Sequence, residues 1–199
     1  VTPEEWMQYP GTVGRAWPSA EVKIFNDEGE ELKAGEVGTI YMLLSENMRF
    51  EYKGDKAKTQ KERLGDYFTV GDVGYLNEEG YLFLSDRKID MIISGGANIY
   101  PAEIESELIL HEKVTDWTVF SIPNADWGEE IKAVVQPADG VVGDQALTDE
   151  IIEYLAGRIA KMKLPRSIDY LDELPRDPNG KLYKRRLRDP YWEGKTRKV

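Results

Sequence analysis

The sequence contains no cysteine and a single histidine, His111, in 199 residues. Without cysteine, the chain has no disulfide framework and no thiolate metal site. One histidine also argues against a histidine-based zinc centre or a serine–histidine triad, so we expect no metal ligands here. No run of 18 apolar residues and no signal-peptide pattern occurs, which predicts a cytoplasmic protein without a transmembrane segment.

Positive charge is also scarce, because 26 Lys and Arg residues face 37 Asp and Glu residues, for a net charge of −11. Nucleic-acid binding requires a basic face that neutralises phosphates, so this balance argues against a nucleic-acid partner. Residues 181–199 are the exception, with eight Lys and Arg residues against Asp189 and Glu193. Such a basic tail is typical of a solvated surface, and it would also attract a polyanionic ligand.

Apolar periodicity predicts a mainly β-structured first part. We expect a hairpin around the Asn-Glu-Glu-Gly turn at 77–80, and a polar surface loop with a short helix at 47–65. The predicted strands are 21–25, 37–44, 67–70 and 81–84.

The second part is predicted to mix strands and helices, so the fold class is α+β, with a boundary near residues 86–90. One helix begins at Pro101 and places Ile104, Leu108 and Ile109 on its apolar face. A longer helix is predicted at 148–162, before Pro165. The predicted strands are 90–93, 117–122, 131–136 and 168–171, and a short basic helix ends the chain.

Three motifs carry the functional prediction. The first is Tyr-Phe-Thr-Val-Gly-Asp at 67–72, where we expect a strand to end and expose the Asp72 carboxylate. A carboxylate so placed can accept hydrogen bonds from both hydroxyls of a ribose, although Gly-Asp is also a common turn.

The second motif runs from Ser85 to Glu105, with a charged cluster, a buried strand, the diglycine Gly95-Gly96 and a helix that begins at a proline. Arg87 could hold an anionic or ribose group, and the diglycine could let a ligand pass close to bare backbone. A hairpin without any ligand explains the same residues.

The third motif, Pro-Arg-Asp-Pro-Asn-Gly-Lys at 175–181, presents Lys181 from a loop that two prolines stiffen. A lysine so placed can stabilise charge that develops on phosphate and carboxylate oxygens. The spacing is not that of a Walker-type phosphate loop.

In this order the three motifs resemble those of the adenylate-forming superfamily, the acyl-CoA synthetases, luciferases and non-ribosomal adenylation domains, and most closely the acyl-CoA synthetase branch. The resemblance covers essentially the whole chain. It implies that residues 1–87 are the β-rich last part of a large N-terminal adenylation domain, and that 88–199 are a small, mobile C-terminal lid domain. Members activate a carboxylic acid with ATP and Mg²⁺ and transfer the acyl group to a thiol, here coenzyme A.

The resemblance also implies roles for single residues. Asp72 and Arg87 would bind the nucleotide, and Lys181 would bridge the carboxylate and the α-phosphate during adenylation. Gly95 and Gly96 would approach the pantetheine of coenzyme A. Trp127 would stack on the adenine of coenzyme A, and Lys163 would pair with a phosphate of coenzyme A.

Two positions depart from the family pattern. The hinge of the lid is usually an Asp or Lys two places after the arginine, and here that place holds Ile89, preceded by Lys88. Val70 stands where relatives often have Thr before the ribose-binding Gly-Asp. The hinge is therefore expected at Lys88 and Ile89, and Asp72 is expected to bind ribose without a neighbouring hydroxyl.

The phosphate loop and acyl pocket of the family lie upstream of anything in this sequence. We therefore expect a fragment of a fatty or other acid–CoA ligase that is inactive alone and depends on the upstream N-terminal domain of the same polypeptide. Two other hypotheses stay open. One is a stand-alone binding or regulatory module that docks another chain through residues 1–86. The other is an adenylating enzyme whose acceptor is a carrier protein or oxygen.

Overall fold

The computed structural model describes residues 1–43 and 51–195. The chain divides into two compact units, Val1–Ile89 and Asp90–Val199. Within the described ranges, no helix is long and apolar enough to cross a membrane. Leu44 and residues 47–50, which belong to the predicted second strand and the predicted loop, lie outside the described residues.

The first unit contains two short helices, α1 (Pro3–Gln8) and α2 (Lys56–Lys61), and a β-sheet. The strands described for this sheet are β1 (Thr12–Gly14), β2 (Glu21–Phe25), β3 (Gly38–Leu43), β4 (Arg63–Leu64), β5 (Tyr67–Phe68), β6 (Asp72–Leu76) and β7 (Leu82–Arg87). Their order is β1-β7-β6-β3-β5-β4, with β2 paired to β3, and the pairs are antiparallel. Ile24 on β2, Ile40 on β3 and Val73 on β6 are buried in this unit.

The predicted hairpin of the first unit exists, but its first strand is different. We expected that strand at 67–70, whereas Tyr67–Phe68 is a two-residue strand and β6 begins at Asp72. Gly71 lies between them with φ +83°, a conformation that favours glycine and separates the two strands. Asp72 therefore opens a strand, and the expectation that a strand ends at Gly71-Asp72 was wrong.

The second unit has a sheet with two helices on one face. Its strands are β8 (Ile92–Ser94), β9 (Ala97–Ile99), β10 (Val114–Asn124), β11 (Gly128–Pro137) and β12 (Ser167–Tyr170), and its helices are α3 (Pro101–Leu108), α4 (Gln145–Ala156) and α5 (Lys184–Arg188). The strand order is β10-β11-β8-β9, with β12 parallel to β11.

Alternation along β10 and β11 makes a core on each face of this sheet. Val119 and Ala133 face the helices, whereas Phe120 and Val134 face the chain segment that contains Leu174. The residues of the helix-side core are all buried and apolar: Ile92, Ile99, Ile104, Leu108, Val114, Val119, Ile131, Ala133, Val135, Leu147, Ile151 and Leu155. Leu182 and Leu187 pack on the opposite core and so anchor the segment that carries Lys181.

Two helix predictions need correction. Ile104 and Leu108 are buried as expected, but Ile109 is 64% exposed because α3 ends at Leu108. Helix α4 begins at Gln145 and not at 148, since the Asp144 carboxylate caps it by accepting a hydrogen bond from the Leu147 amide (3.0 Å). It ends at Ala156 before Gly157, well short of residue 162.

Candidate functional site

Asp72 and Arg87 lie side by side in the first unit. Their Cα atoms are register partners at one end of the β6–β7 hairpin, and Arg87 Nε lies 3.5 Å from Asp72 Oδ1. The Arg87 side chain is 60% exposed and that of Asp72 is 31% exposed, so both are accessible. The two residues expected to bind nucleotide are therefore adjacent. Their separation of fifteen residues in the sequence does not by itself indicate that they are neighbours across the hairpin.

The turn before Asp72 is held by side-chain and backbone hydrogen bonds. The Gly71 amide donates to Thr69 Oγ1 (3.0 Å), and the Gly71 carbonyl accepts from the Lys88 amide (2.8 Å). Thr69 is buried and Val70 is exposed. This chain therefore lacks a hydroxyl at position 70. The neighbouring hydroxyl of Thr69 is buried and accepts a hydrogen bond within the turn.

The expected hinge residues form a 3₁₀ turn with Asp90, Lys88–Asp90, where the two units divide. Lys88 Nζ lies 2.5 Å from Asp27 Oδ1, an ion pair within the first unit. Ile89 is 45% exposed. A hinge role for these residues stays a prediction. The Lys88–Asp27 ion pair holds the Lys88 side chain to the first unit.

Gly95 and Gly96 form the tight turn between β8 and β9, both with positive φ (+58° and +82°). Their surroundings differ. A Cβ atom on Gly95 would lie 2.5 Å from Cε3 of Trp127, whereas a Cβ on Gly96 would meet no described residue within 4 Å beyond its chain neighbours. Gly96 therefore presents bare backbone to open space, and Gly95 is covered by an indole ring.

Trp127 is fixed by its main chain and exposed at its ring. Its amide donates to Asn124 Oδ1 (2.9 Å), and its carbonyl accepts from the Gly95 amide (2.9 Å). The residue is 50% exposed, and the Arg166 guanidinium lies 5.5 Å from the ring centroid. Arg166 and Asn124 were missed at the sequence level because nothing in the local pattern links residues 124, 127 and 166.

Lys163 has a partner within the protein. Its Nζ lies 2.6 and 2.7 Å from the two carboxylate oxygens of Glu103 on α3, and its side chain is 26% exposed. To bind an external phosphate, the Lys163 ammonium would have to leave the Glu103 carboxylate or contact the carboxylate and the phosphate together. The cation beside Trp127 is Arg166, three residues further along the chain.

Lys181 sits at the end of a loop with extensive internal hydrogen bonding. The Asp177 carboxylate accepts from the amides of Asn179 (2.8 Å) and Lys181 (2.9 Å), and the Asp177 amide donates to the Lys181 carbonyl (2.8 Å). Within the described ranges, the Lys181 ammonium has no hydrogen bond or ion pair, and the residue is exposed. The loop thus fixes the main chain and leaves the charge available to a ligand.

The cations that follow Lys181 divide into two groups. Lys184 and Arg188 are partly or fully buried and pair with carboxylates, Lys184 with Glu105 (3.1 Å) and Arg188 with Asp90 (3.3 Å). Arg185 and Arg186 are exposed. Part of the positive charge of the tail is therefore structural, and part adds to the charge that Lys181 presents to solvent.

Comparison with known proteins decides the family. The model of the AMP-binding enzyme C-terminal domain matches residues 103–181. Fatty acid–[acyl-carrier-protein] ligase ScoC of Streptomyces coeruleorubidus is 37% identical over 94% of this chain, and long-chain-fatty-acid–CoA ligase FadD13 of Mycobacterium tuberculosis is 36% identical over 94%. O-succinylbenzoate CoA synthetase of Bacillus subtilis, solved with its acyl-adenylate intermediate, shares the fold with a TM-score of 0.83 at 34% identity over 94% of this chain.

The chain belongs to the adenylate-forming superfamily of AMP-binding enzymes. It spans about a third of the length of its relatives: 35% of ScoC, 36% of FadD13 and 37% of the solved synthetase. The predicted family and fold class are therefore confirmed.

Across the described ranges, the chain has no group of three or more His, Cys, Asp or Glu side chains arranged to hold a metal ion. The groups that could contact a ligand are the Asp72–Arg87 pair in the first unit, and the Gly96 backbone, Trp127 with Arg166, and Lys181 in the second.

Proposed function

We propose that this chain is part of an ATP-dependent acid–thiol ligase. In the first half-reaction, a carboxylate oxygen bonds to the α-phosphorus of ATP and pyrophosphate leaves. In the second, a thiol sulfur bonds to the acyl carbon, AMP leaves as the acyl–oxygen bond breaks, and the thiol proton passes to solvent. The family assignment supports this chemistry, as does the acyl-adenylate bound in the related synthetase.

The observation that carries the proposal is Lys181, an exposed ammonium that has no partner among the described residues and lies on an internally bonded loop. Negative charge is shared by the carboxylate and the α-phosphate as the new bond forms. A fixed cation at this position stabilises that charge without moving a proton. Lys181 is therefore the catalytic residue of adenylation in this proposal.

Asp72 and Arg87 are proposed to hold the nucleotide. The Asp72 carboxylate is an acceptor with two oxygens, which suits two ribose hydroxyls as donors. Arg87 lies beside it, 3.5 Å from one of those oxygens, and is the more exposed of the two. Its guanidinium can therefore turn toward a bound nucleotide while Asp72 keeps the ribose.

The thiol side of the reaction is proposed to use the β8–β9 turn. Gly96 offers unobstructed backbone to a thin pantetheine chain, and the half-exposed Trp127 ring with Arg166 offers a stacking surface and a cation. Coenzyme A carries an adenine and phosphates, so this pair favours it as the acceptor. Lys163 would contribute a second cation if a phosphate displaced Glu103.

A carrier-protein acceptor is the second candidate, because ScoC is named as an acyl-carrier-protein ligase and is as similar to this chain as the CoA ligase FadD13. Both acceptors end in the same phosphopantetheine thiol. They differ in the adenine nucleotide, which a carrier protein lacks. Trp127 and Arg166 should therefore matter for free coenzyme A and much less for a carrier protein.

We further propose that residues 1–87 end a large adenylation domain and that 88–199 act as its mobile lid, with the upstream domain of the same polypeptide as the obligatory partner. The acid substrate would bind in that upstream domain.

The test is ATP–pyrophosphate exchange by the protein encoded in the complete reading frame, with a panel of fatty and aromatic carboxylic acids. Acid-dependent exchange supports the proposal. If no acid gives exchange, the chain is better explained as a binding or regulatory module. Thioester formation with free coenzyme A, compared with a phosphopantetheinylated carrier protein, then separates the two acceptors.

A further inference from the structure

The internal bonds of the Lys181 loop fix its shape but not its position on the domain. Asp177 satisfies the loop amides, and an isolated antiparallel bridge joins Arg176 to Leu182 at its base. These contacts all lie within residues 176–182, so they would persist if the loop tilted as a body. Leu182 packs on the core at the end of the loop, and a contact from the rest of the loop would limit tilting about that anchor.

Arg176 links the loop to the sheet with all three nitrogens of its guanidinium. Its Nη1 donates to the Gly180 carbonyl (2.6 Å), directly before Lys181. Its Nε and Nη2 donate to the Asp116 carboxylate at 2.9 and 2.7 Å. The planar guanidinium holds these groups in fixed relative directions, which a lysine could not do.

Asp116 is a suitable anchor because it belongs to the long central pairing of the second unit. It lies on β10 opposite Gln136 of β11, next to a register irregularity after Val114. Its Oδ1 also accepts from the Trp117 amide (2.9 Å), which limits rotation of the carboxylate. Sheet, carboxylate, guanidinium and the Gly180 carbonyl thus form one continuous chain of contacts that ends at Lys181.

We propose that Asp116 and Arg176 are positioning residues for Lys181, and this inference rests on the proposed adenylation role of that lysine. The ion pair is partly exposed, at 22% for Asp116 and 42% for Arg176, so solvent screens part of its contribution to stability. Its effect is on geometry. A displacement of about 1 Å at a reacting group can lower a rate by roughly 10²-fold.

The main experiment compares Asp116→Ala and Arg176→Lys with the unsubstituted full-length protein in both half-reactions, using the acid that gives the fastest exchange. We expect ATP–pyrophosphate exchange to fall roughly tenfold to a hundredfold. Thioester formation from supplied acyl-adenylate should stay unchanged, because Lys181 is not used there. Lys113→Ala is the matched control, since it breaks another exposed ion pair of the same unit, with Glu150, and should leave both rates unchanged.

Two further readouts separate positioning from folding. In a Lys181→Ala background, Asp116→Ala should cause no additional loss of exchange, because the group it positions is gone. Hydrogen exchange of the Gly180 and Lys181 amides should accelerate in Asp116→Ala and not in Lys113→Ala. If Asp116→Ala impairs folding, Asp116→Asn keeps the side-chain volume and serves in its place.

An equal loss in both half-reactions, an additive loss in the Lys181→Ala background, or unchanged exchange in Asp116→Ala would each overturn the positioning role. The proposed function fails in a distinguishable way. If the unsubstituted protein shows no acid-dependent exchange, the adenylation role and the positioning role are both rejected.

Discussion

Replacing Gly95 with alanine would place a methyl group against the indole of Trp127, whereas the same change at Gly96 would place it in open space. The added carbon at position 95 would lie 2.5 and 2.8 Å from Cε3 and Cζ3 of the ring. At position 96 the added carbon would meet no described residue within 4 Å other than the chain neighbours of the glycine. The two glycines therefore form a matched pair. Both have a positive φ, but only Gly95 lies against Trp127.

Both substitutions put a side chain on left-handed backbone, which costs about 1–2 kcal/mol. Gly95→Ala must also move the indole, and overpacking of this kind costs about 1–3 kcal/mol. The ring is half-exposed and can rotate, but its main chain is bonded to Asn124 and Gly95, so relief is partial. We therefore expect Gly95→Ala to destabilise the protein by about 1–2 kcal/mol more than Gly96→Ala.

Urea unfolding monitored by circular dichroism measures the difference, and Trp127→Ala completes a double-mutant cycle. In the Trp127→Ala background, Gly95→Ala should cost no more than Gly96→Ala, which gives a coupling of about 1–2 kcal/mol between positions 95 and 127. Equal destabilisation by the two glycine substitutions in the unsubstituted background would refute this reasoning, and so would a coupling near zero.

Two further predictions concern the same unit. Burial lowers the pKa of His111 below the ordinary histidine value of 6.5. At pH values below 6.5 the unfolded chain therefore binds more protons at this residue than the folded chain does. The free energy of unfolding should consequently fall as pH decreases from 7 to 5. His111→Gln should remove that part of the pH dependence in urea titrations, and an unchanged slope would contradict it. Gly96→Leu should slow thioester formation from supplied acyl-adenylate roughly tenfold more than it slows adenylation, because the side chain obstructs the thiol. Equal slowing in the two half-reaction assays would count against a thiol path at this turn.

Local signals in the sequence predicted the elements that local interactions determine. The helix after Pro101 and the strand at Glu21–Phe25 appear where expected, because proline suits a first helical turn and alternation suits a half-buried strand. The boundaries of α4 were misplaced because the cap at Asp144 and the stop at Gly157 were outweighed by apolar residues further along, such as Ile159. Ile159 is partly buried without being helical.

The candidate site was predictable only in its motif residues. Gly95, Gly96 and Lys181 belong to motifs that the sequence displays directly. The contacts that position them join distant segments, as Trp127 does over Gly95 and Asp116 does with Arg176, sixty residues apart. Such pairs depend on how strands align, and no periodicity within one segment encodes that alignment.

The measurement that tests the central claim most directly is the effect of Lys181→Ala on the two half-reactions of the full-length protein. Adenylation, measured by ATP–pyrophosphate exchange, should fall about 10²–10³-fold, the loss expected when one preorganised contact to developing charge is removed. Thioester formation from supplied acyl-adenylate should be retained. Lys33→Ala, an exposed lysine in the first unit, is the control and should change neither rate. An equal loss in both half-reactions, or full adenylation activity in Lys181→Ala, would contradict the account.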